Sequence, residues 1–165
     1  MVGGDSGLRG TSMAKIDLDK LKDQLIEHEG LHLKPYRCPG GYWTIGVGRN
    51  LEGKGITSEE AVELFKHGIK KSQASMLLEN DIDECIANLK SIFPHFKRLK
   101  EGRQRALIDM RFNLGPSRFR TFKKMIAALH KRDYYSAARE MLDSRWASQV
   151  GRRAHRLAKM MEEGI

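Results

Sequence analysis

The chain of 165 residues is 40% apolar and carries a formal net charge of +9 at pH 7, so it is long enough to bury a hydrophobic core and form one domain. Its two cysteines are too few for a disulfide framework and lack zinc-ligand spacing, and no stretch approaches the roughly 20 apolar residues of a membrane span. The charge favours an anionic partner, but no nucleic-acid-binding motif accompanies it, which argues against nucleic acid.

The N-terminal segment MVGGDSGLRGTS is rich in glycine and serine, shows no apolar period and precedes a second methionine, Met13. We interpret residues 1–12 as a cloning remnant and residues 13–165 as a single domain. The pattern of a secretory signal peptide does not occur. The sequence therefore predicts synthesis in a reducing cytoplasm, which suits two free thiols.

The first predicted helix ends in a glutamate that faces the core. Its apolar residues recur at i, i+3 and i+7 (Leu18, Leu21 and Leu25), with Asp17 or Asp19 as the cap and Gly30 at the end. Glu29 lies four residues after Leu25 and therefore on the same stripe. Because burial disfavours the charged form of a carboxyl, Glu29 is predicted to keep a proton that it can donate near neutral pH.

Two short strands with a tight turn follow this helix. Residues 31–37 and 42–47 are rich in aromatic and β-branched side chains, and Pro39-Gly40-Gly41 supplies the turn. Side chains alternate across a strand. Cys38, beside the turn, is therefore expected to share a face with Thr44 and to look back at Glu29.

The remainder of the chain shows helical periods. Thr57 and Glu60 form a capping box, which opens a helix predicted over residues 58–79. Further periods cover residues 81–92, 101–114, 119–129, 134–142 and 150–161. Cys85 lies on an apolar face and is interpreted as a small buried residue. The pattern predicts an α+β fold, mostly helical, with two lobes at about 15–60 and 75–165 joined by the helix at about 58–79.

The catalytic-looking residues form a recognisable spacing. Glu29, Cys38 and Thr44 follow the pattern E-x8-C-x5-T, and TIGVG begins at the threonine. This segment resembles the active-site segment of the phage-type lysozymes, the endolysins of glycoside hydrolase family 24. The likeness continues through ALIDMRFNLG at 106–115, AARE at 137–140, SRW at 144–146 and RRAHR at 152–156. It covers roughly residues 16–160 and implies a lysozyme-like fold.

The resemblance implies an enzyme that hydrolyses the β-1,4 bond between N-acetylmuramic acid and N-acetylglucosamine in peptidoglycan, with inversion and without a metal or organic cofactor. It assigns Glu29 as the general acid, and Cys38 with Thr44 to the water. It also places Phe112 in the saccharide cleft, and the alternative interpretation of Phe112 is a core residue. Asn113, beside it, is interpreted either as a ligand of an acetamido group or as a cap of the following loop. His28, next to the acid, is interpreted as an exposed polar residue.

Two positions depart from the family pattern. Many members carry aspartate where this chain has Cys38, and a free thiol is mostly protonated at neutral pH unless neighbours such as Arg37 lower its pKa. Three roles remain open for Cys38, in order of preference: holder of the water, thiolate base, or nucleophile with retention. Arg49 replaces the histidine of the TIGxGH pattern, which puts a local ion pair in question.

The C-terminal segment is strongly basic and also has an apolar face. Its cations include Arg145, Arg152, Arg153, Arg156 and Lys159. We expect them to bind anionic envelope polymers such as lipopolysaccharide. Alternative functions are a lysozyme-like domain that binds the wall without cutting it, and membrane disruption by this helix. A monomer is expected, and the resemblance implies passage from the host cytoplasm to the wall through holin-type membrane holes.

Overall fold

The computed structural model describes residues 15–165, without the side chains of Ser58, Ala61, Leu64 and Phe65. The predicted cloning remnant, residues 1–12, lies outside this range. The first part of the chain contains α1 (Leu18–Glu29), β1 (His32–Arg37), β2 (Trp43–Gly46), β3 (Arg49–Asn50), α2 (Ser58–Phe65) and α3 (Lys71–Ile92). The second part contains α4 (Glu101–Leu114), α5 (Pro116–Arg120), α6 (Lys123–His130), α7 (Tyr134–Leu142), α8 (Arg145–Val150) and α9 (Arg152–Glu163). The predicted fold class, a mostly helical α+β fold, is confirmed.

Helix α1 begins and ends where the sequence predicts. The Asp17 side chain accepts a hydrogen bond from the backbone N–H of Lys20 at 3.0 Å, so Asp17 rather than Asp19 is the N-cap. Gly30 ends the helix with φ of 80°, a backbone conformation that glycine adopts without a Cβ clash. Leu21 and Leu25 are fully buried, whereas Leu18 is 41% exposed. The apolar stripe therefore reaches the core from Leu21 onwards and leads to Glu29.

The predicted hairpin is the centre of a small antiparallel sheet, with strand order β1-β2-β3 among the described residues. Tyr36 pairs with Thr44 across the first two strands, and Thr44 pairs with Asn50 across the next two. The turn is closed by the N–H of Gly41, which donates to the carbonyl of Cys38 at 2.8 Å. The third strand was not predicted because two residues are too short to show a periodic pattern.

The prediction of one helix over residues 58–79 is wrong. Helix α2 ends at Phe65, and the long helix α3 begins at Lys71 and absorbs the stretch predicted separately at 81–92. Gly68, at φ of 78°, turns the chain back onto the first strand. There the N–H of Ile69 donates to the carbonyl of Leu33 at 2.7 Å. A tertiary hydrogen bond thus outweighs the helical period of the sequence.

Helix α3 connects the sheet to the helical bundle. Near its start, Ala74 lies 3.8 Å from a Cβ built at Gly46 on β2. Further along, the Cys85 thiol lies 3.7 Å from the guanidinium of Arg111 on α4. The main hydrophobic core joins α1, α3 and α4 with the C-terminal helices, and a smaller cluster around Ile45 and Leu51 lies under the sheet. The catalytic-looking segment therefore lies between two packed regions.

The later helices follow the sequence with two exceptions. Helices α4 and α7 have the predicted bounds. The period predicted over 119–129 divides into α5 and α6, and Val150 ends α8 instead of beginning the last helix. Gly151, at φ of 56°, separates α8 from α9. No helix within residues 15–165 is long and apolar enough to cross a membrane.

We predict that Gly68→Ala lowers the free energy of unfolding by more than about 2 kcal/mol, measured by urea denaturation. A Cβ there would lie 2.7 Å from the carbonyl oxygen of Leu33, in addition to the unfavourable positive φ. Gly55→Ala is the matched control, because Gly55 has φ of 83° with nothing within 4 Å of its Cβ. It is expected to cost about 1 kcal/mol. Equal losses in the two variants would contradict the close approach at Gly68.

Candidate active site

Glu29 points into the molecule from the last turn of α1, as predicted. Its side chain is 18% exposed, and Oε1 lies 2.9 Å from Nη1 of Arg153. The side-chain amide of Asn113 donates to the same oxygen at a longer distance of 3.4 Å. The carboxyl is therefore shielded from most of the solvent, but its setting is polar and contains a cation.

The loop after β2 passes directly over the carboxyl of Glu29. A Cβ built at Gly48 would lie 3.0 Å from Oε2 and 3.2 Å from Cβ of Glu29. The backbone of Gly48 has φ of 60°, in the left-handed region. Glycine is required here on both counts, because any side chain would displace the acid. Gly48, the last residue of TIGVG, therefore contributes to the geometry around Glu29.

Cys38 and Thr44 lie together at the turn end of the hairpin, as predicted. Thr44 is buried, Cys38 is partly exposed, and the Thr44 hydroxyl donates to the carbonyl of Tyr42 at 3.0 Å. Burial raises the pKa of the Cys38 thiol, but its hydrogen bonds with the Thr44 side chain and with the backbone of Tyr42 and Gly40 outweigh this effect, so the pKa is lowered. The thiol is therefore deprotonated more readily than that of a free cysteine.

Arg37 does not assist the thiol in the way that the sequence suggested. Its Nη1 donates to the carbonyl of Gly41 at 2.9 Å, and its guanidinium lies 4.8 Å from the ring centroid of Trp43. The arginine braces the turn instead. The stabilisation of the Cys38 thiolate comes from hydrogen bonds within the hairpin.

Tyr36 is affected by the charges of both Glu29 and Cys38 and was not predicted as a site residue. Burial raises the pKa of its hydroxyl, and the negative charges of Glu29 and Cys38 raise it further. Both groups must therefore lie near the same phenol. Its place two residues before Cys38, on a strand facing Thr44, was the available signal.

Asn113 contacts the acid and a tryptophan from the C-terminal part of the chain. Its amide nitrogen faces Glu29, and its Oδ1 accepts a hydrogen bond from Nε1 of Trp146 at 2.8 Å. Asn113 therefore supports the acid, and Trp146 fixes the orientation of the amide. Phe112 is partly buried, packs against the main core and also lines a cleft of about 320 Å³ beside Gly48.

Arg49 keeps an ion pair at this cleft. Its Nη1 lies 2.7 Å from Oδ1 of Asp81 on α3, and Nζ of Lys54 lies 3.6 Å from the same oxygen. Replacement of the pattern's histidine by arginine therefore leaves a link between β3 and α3 in place. Among the described residues, no group of three or more His, Cys, Asp or Glu side chains is arranged to hold a metal ion.

Arg153 is the principal residue that sequence reasoning misplaced. It was assigned to the basic surface, but its side chain is only 9% exposed, and Nε lies 2.8 Å from Oδ1 of Asp109. The other oxygen of Asp109 lies 2.7 Å from Nδ1 of His28. The interpretation of His28 as an exposed residue is therefore also wrong, since its side chain is 9% exposed. Both errors arose because the partner, Asp109, is remote in sequence.

Asp109 is ionised in this setting. Complete burial alone would raise the pKa of its carboxyl. The hydrogen bond from His28, the charge of Arg153 and the hydrogen bond from Gln24 nevertheless hold that pKa below its ordinary value. The site thus contains one buried carboxylate that stays charged and one partly exposed carboxyl, Glu29, attached to the same guanidinium.

A mostly helical α+β fold that holds a shielded glutamate against the end of a hairpin carrying Cys38 and Thr44 is consistent with a lysozyme-type glycosidase. The chain belongs to the phage lysozyme family, the T4-type lysozymes of glycoside hydrolase family 24, whose sequence profile matches residues 26–162. The resemblance seen in the sequence is thereby confirmed. The chain is an enzyme of the lysozyme class, for which peptidoglycan is the substrate.

Individual relatives agree with this assignment. The chain is 26% identical to a probable T4-type lysozyme 1 of Dictyostelium discoideum over 89% of this chain and 96% of that protein. It is 30% identical to an endolysin of Acyrthosiphon pisum secondary endosymbiont phage 1 over 76% of this chain and 77% of that protein. It is 27% identical to the pre-baseplate central spike protein Gp5 of Enterobacteria phage T4, over 87% of this chain but 28% of that protein.

We predict that a thiol reagent modifies Cys38 but not Cys85 in the native protein. Cys38 is partly exposed and its pKa is lowered, whereas burial raises the pKa of Cys85 to about 12. Labelling with iodoacetamide at pH 7.5, followed by peptide mass spectrometry, is expected to place the adduct on Cys38. Protein unfolded in guanidinium is the control and should label at both cysteines. Equal native rates would contradict the burial of Cys85.

Proposed function

We propose that the chain is a muramidase that hydrolyses the β-1,4 bond between N-acetylmuramic acid and N-acetylglucosamine in bacterial peptidoglycan. The observation that carries the proposal is the shielded Glu29 carboxyl, which lies against Gly48 at the end of the hairpin that carries Cys38 and Thr44. Glycoside hydrolysis needs an acid on the leaving oxygen and a second group on the opposite face. Glu29 supplies the first function, and the hairpin supplies the second.

In this mechanism Glu29 gives its proton to the glycosidic oxygen as the bond to the anomeric carbon breaks. Water attacks that carbon from the side of Cys38 and Thr44. As holders, the two residues orient the water, and its proton leaves to solvent. As a base, the Cys38 thiolate accepts that proton, and its lowered pKa supports this role. As a nucleophile, the sulfur itself would bond to the anomeric carbon until water releases the sugar.

Substrate contacts are proposed for the cleft. Phe112 offers an apolar wall suited to a sugar ring, and it lines the same cleft as Arg49 and Asp81. Asn113 is proposed to hold Glu29 in place beside that wall rather than to bind an acetamido group.

The alternative of membrane disruption by the C-terminal helix is less well supported. Leu157, Ala158 and Met161 on α9 are buried in the main core. The helix would have to leave the core to insert into a lipid surface, which would also leave the buried Arg153 without its partners.

Binding of anionic envelope polymers is proposed for the remaining cations, Arg145, Arg152, Arg156 and Lys159. Salt-sensitive sedimentation of an inactive variant with lipopolysaccharide tests it.

We also propose that the enzyme acts in bacterial lysis and reaches the wall from the host cytoplasm through membrane holes made by another protein, as the endolysin relative suggests. Expression in a bacterium with and without a holin tests this, because lysis should require the holin.

We predict that Glu29→Gln lowers the release of reducing ends from purified peptidoglycan by at least about 100-fold, because the amide cannot donate the proton. Glu27→Gln is the matched control on the same helix turn. Glu27 is exposed and paired with Arg156, so this variant should keep most of the activity. The mechanism would be refuted if the Glu29→Gln variant cut as fast as the parent. The non-catalytic alternative would be favoured if the parent bound the wall but released no reducing ends.

The stereochemistry of the first product distinguishes the roles of Cys38. Proton NMR during early turnover is expected to show the α-anomer, because water attacks the face opposite to the leaving oxygen when Cys38 holds or deprotonates it. A first product with the β configuration would show that Cys38 forms a covalent glycosyl-enzyme. Spontaneous mutarotation of the isolated product is the control for the time window.

A further inference from the structure

One buried arginine serves two carboxylates in this protein. Nη1 of Arg153 contacts Glu29 at 2.9 Å, and Nε contacts Asp109 at 2.8 Å. The remaining nitrogen, Nη2, is buried and has no hydrogen-bond partner among the described residues. The orientation of the guanidinium is therefore set by the two carboxylates, which compete for one positive charge.

The two carboxylates do not accept the same number of hydrogen bonds. Asp109 accepts hydrogen bonds from Arg153, from Gln24 at 2.8 Å and from His28 at 2.7 Å. Glu29 has the same arginine, but its second donor, Asn113, is 3.4 Å away. Hydrogen bonds to an ionised carboxyl favour the charged form, and Asp109 accepts more of them than Glu29 does.

His28 contacts both Asp109 and Arg156. Its Nδ1 faces Oδ2 of Asp109 at 2.7 Å, while its Nε2 lies 3.3 Å from Nη1 of Arg156. A carboxylate has only acceptors, so the hydrogen between the ring and Asp109 resides on Nδ1. His28 thus donates to Asp109, whose other oxygen faces Nε of Arg153.

We propose that Asp109 is a positioning residue that occupies the charge of Arg153 and thereby keeps Glu29 protonated for its work as a general acid. This inference rests on the proposed function of Glu29. Without Asp109, Arg153 would have Glu29 as its one carboxylate and would hold it as an anion that has no proton to give. With Asp109, the guanidinium fixes the position of Glu29 without making it permanently charged.

Other groups around Glu29 do not replace Asp109 in this role. Among the described residues, two of these groups belong to the hairpin: Tyr36 on β1 and Cys38 at the turn. The others are His28, which precedes Glu29 on α1, and Arg156 on α9, which pairs with Glu27. Arg105 on α4 acts one step further away, by donating to the Gln24 side chain. A negative charge on Cys38 would also favour a protonated Glu29, but it lies outside the hydrogen-bonded cluster.

We predict that Asp109→Asn shifts the pH dependence of kcat. The basic limb, where kcat falls as the pH rises, should move to lower pH by at least about 1 unit, with KM nearly unchanged. Activity above the limb should therefore fall about 10-fold and recover on acidification. Arg153→Met should move the same limb to higher pH, since both carboxylates lose their cation. The double variant, which removes both charges and leaves no stranded ion, should return the limb towards that of the parent. Limbs that stay in place while activity falls at every pH would overturn the proposal.

A second measurement does not depend on any variant of Asp109 folding. Carbon-13 NMR of the parent protein should show the Glu29 carboxyl taking up a proton before that of Asp109 as the pH is lowered. Asp109 protonating first would overturn the proposal. Because this order is read without turnover, it stands or falls separately from the activity of Glu29→Gln, which decides whether Glu29 is the general acid at all.

Discussion

The contact between Arg153 and its two carboxylates is the constraint on which the site depends. Its members lie on α1, α4 and α9, so the acid is positioned by helices from opposite ends of the chain. A buried charge that loses its partner is strongly unfavourable. Helix α9 therefore cannot shift without disturbing Glu29, and the packing of Leu157 and Met161 in the core contributes to the geometry of the active site.

The opposite wall of the site is built in a different way. Cys38 and Thr44 are brought together by one short hairpin, and Gly48 brings the backbone against Glu29. The same short segment supplies the hydrogen bonds that lower the pKa of the thiol. Local geometry thus controls the water side of the reaction, whereas long-range packing controls the acid side.

The charge of the protein divides into structural and surface parts. Arg49, Arg111 and Arg153 pair with acids inside or beside the cleft, and they hold the elements of the site together. The exposed cations contribute instead to the positive field of the protein surface. The net charge alone could not separate these roles, because an arginine in the sequence looks the same whether its partner is water or a carboxylate.

The sequence by itself determined the elements whose signals are local. The caps of α1, the hairpin, α4 and α7 follow from spacing and turn residues, and the pattern from Glu29 to Gly48 was sufficient to identify the family. Tertiary structure decided the break at Gly68, the burial of His28 and Arg153, and the attachment of Asn113 to Glu29. Each of these depends on a partner dozens of residues away. Periodicity indicates which face of a helix is buried, but it does not indicate which charged residue of another element contacts that face.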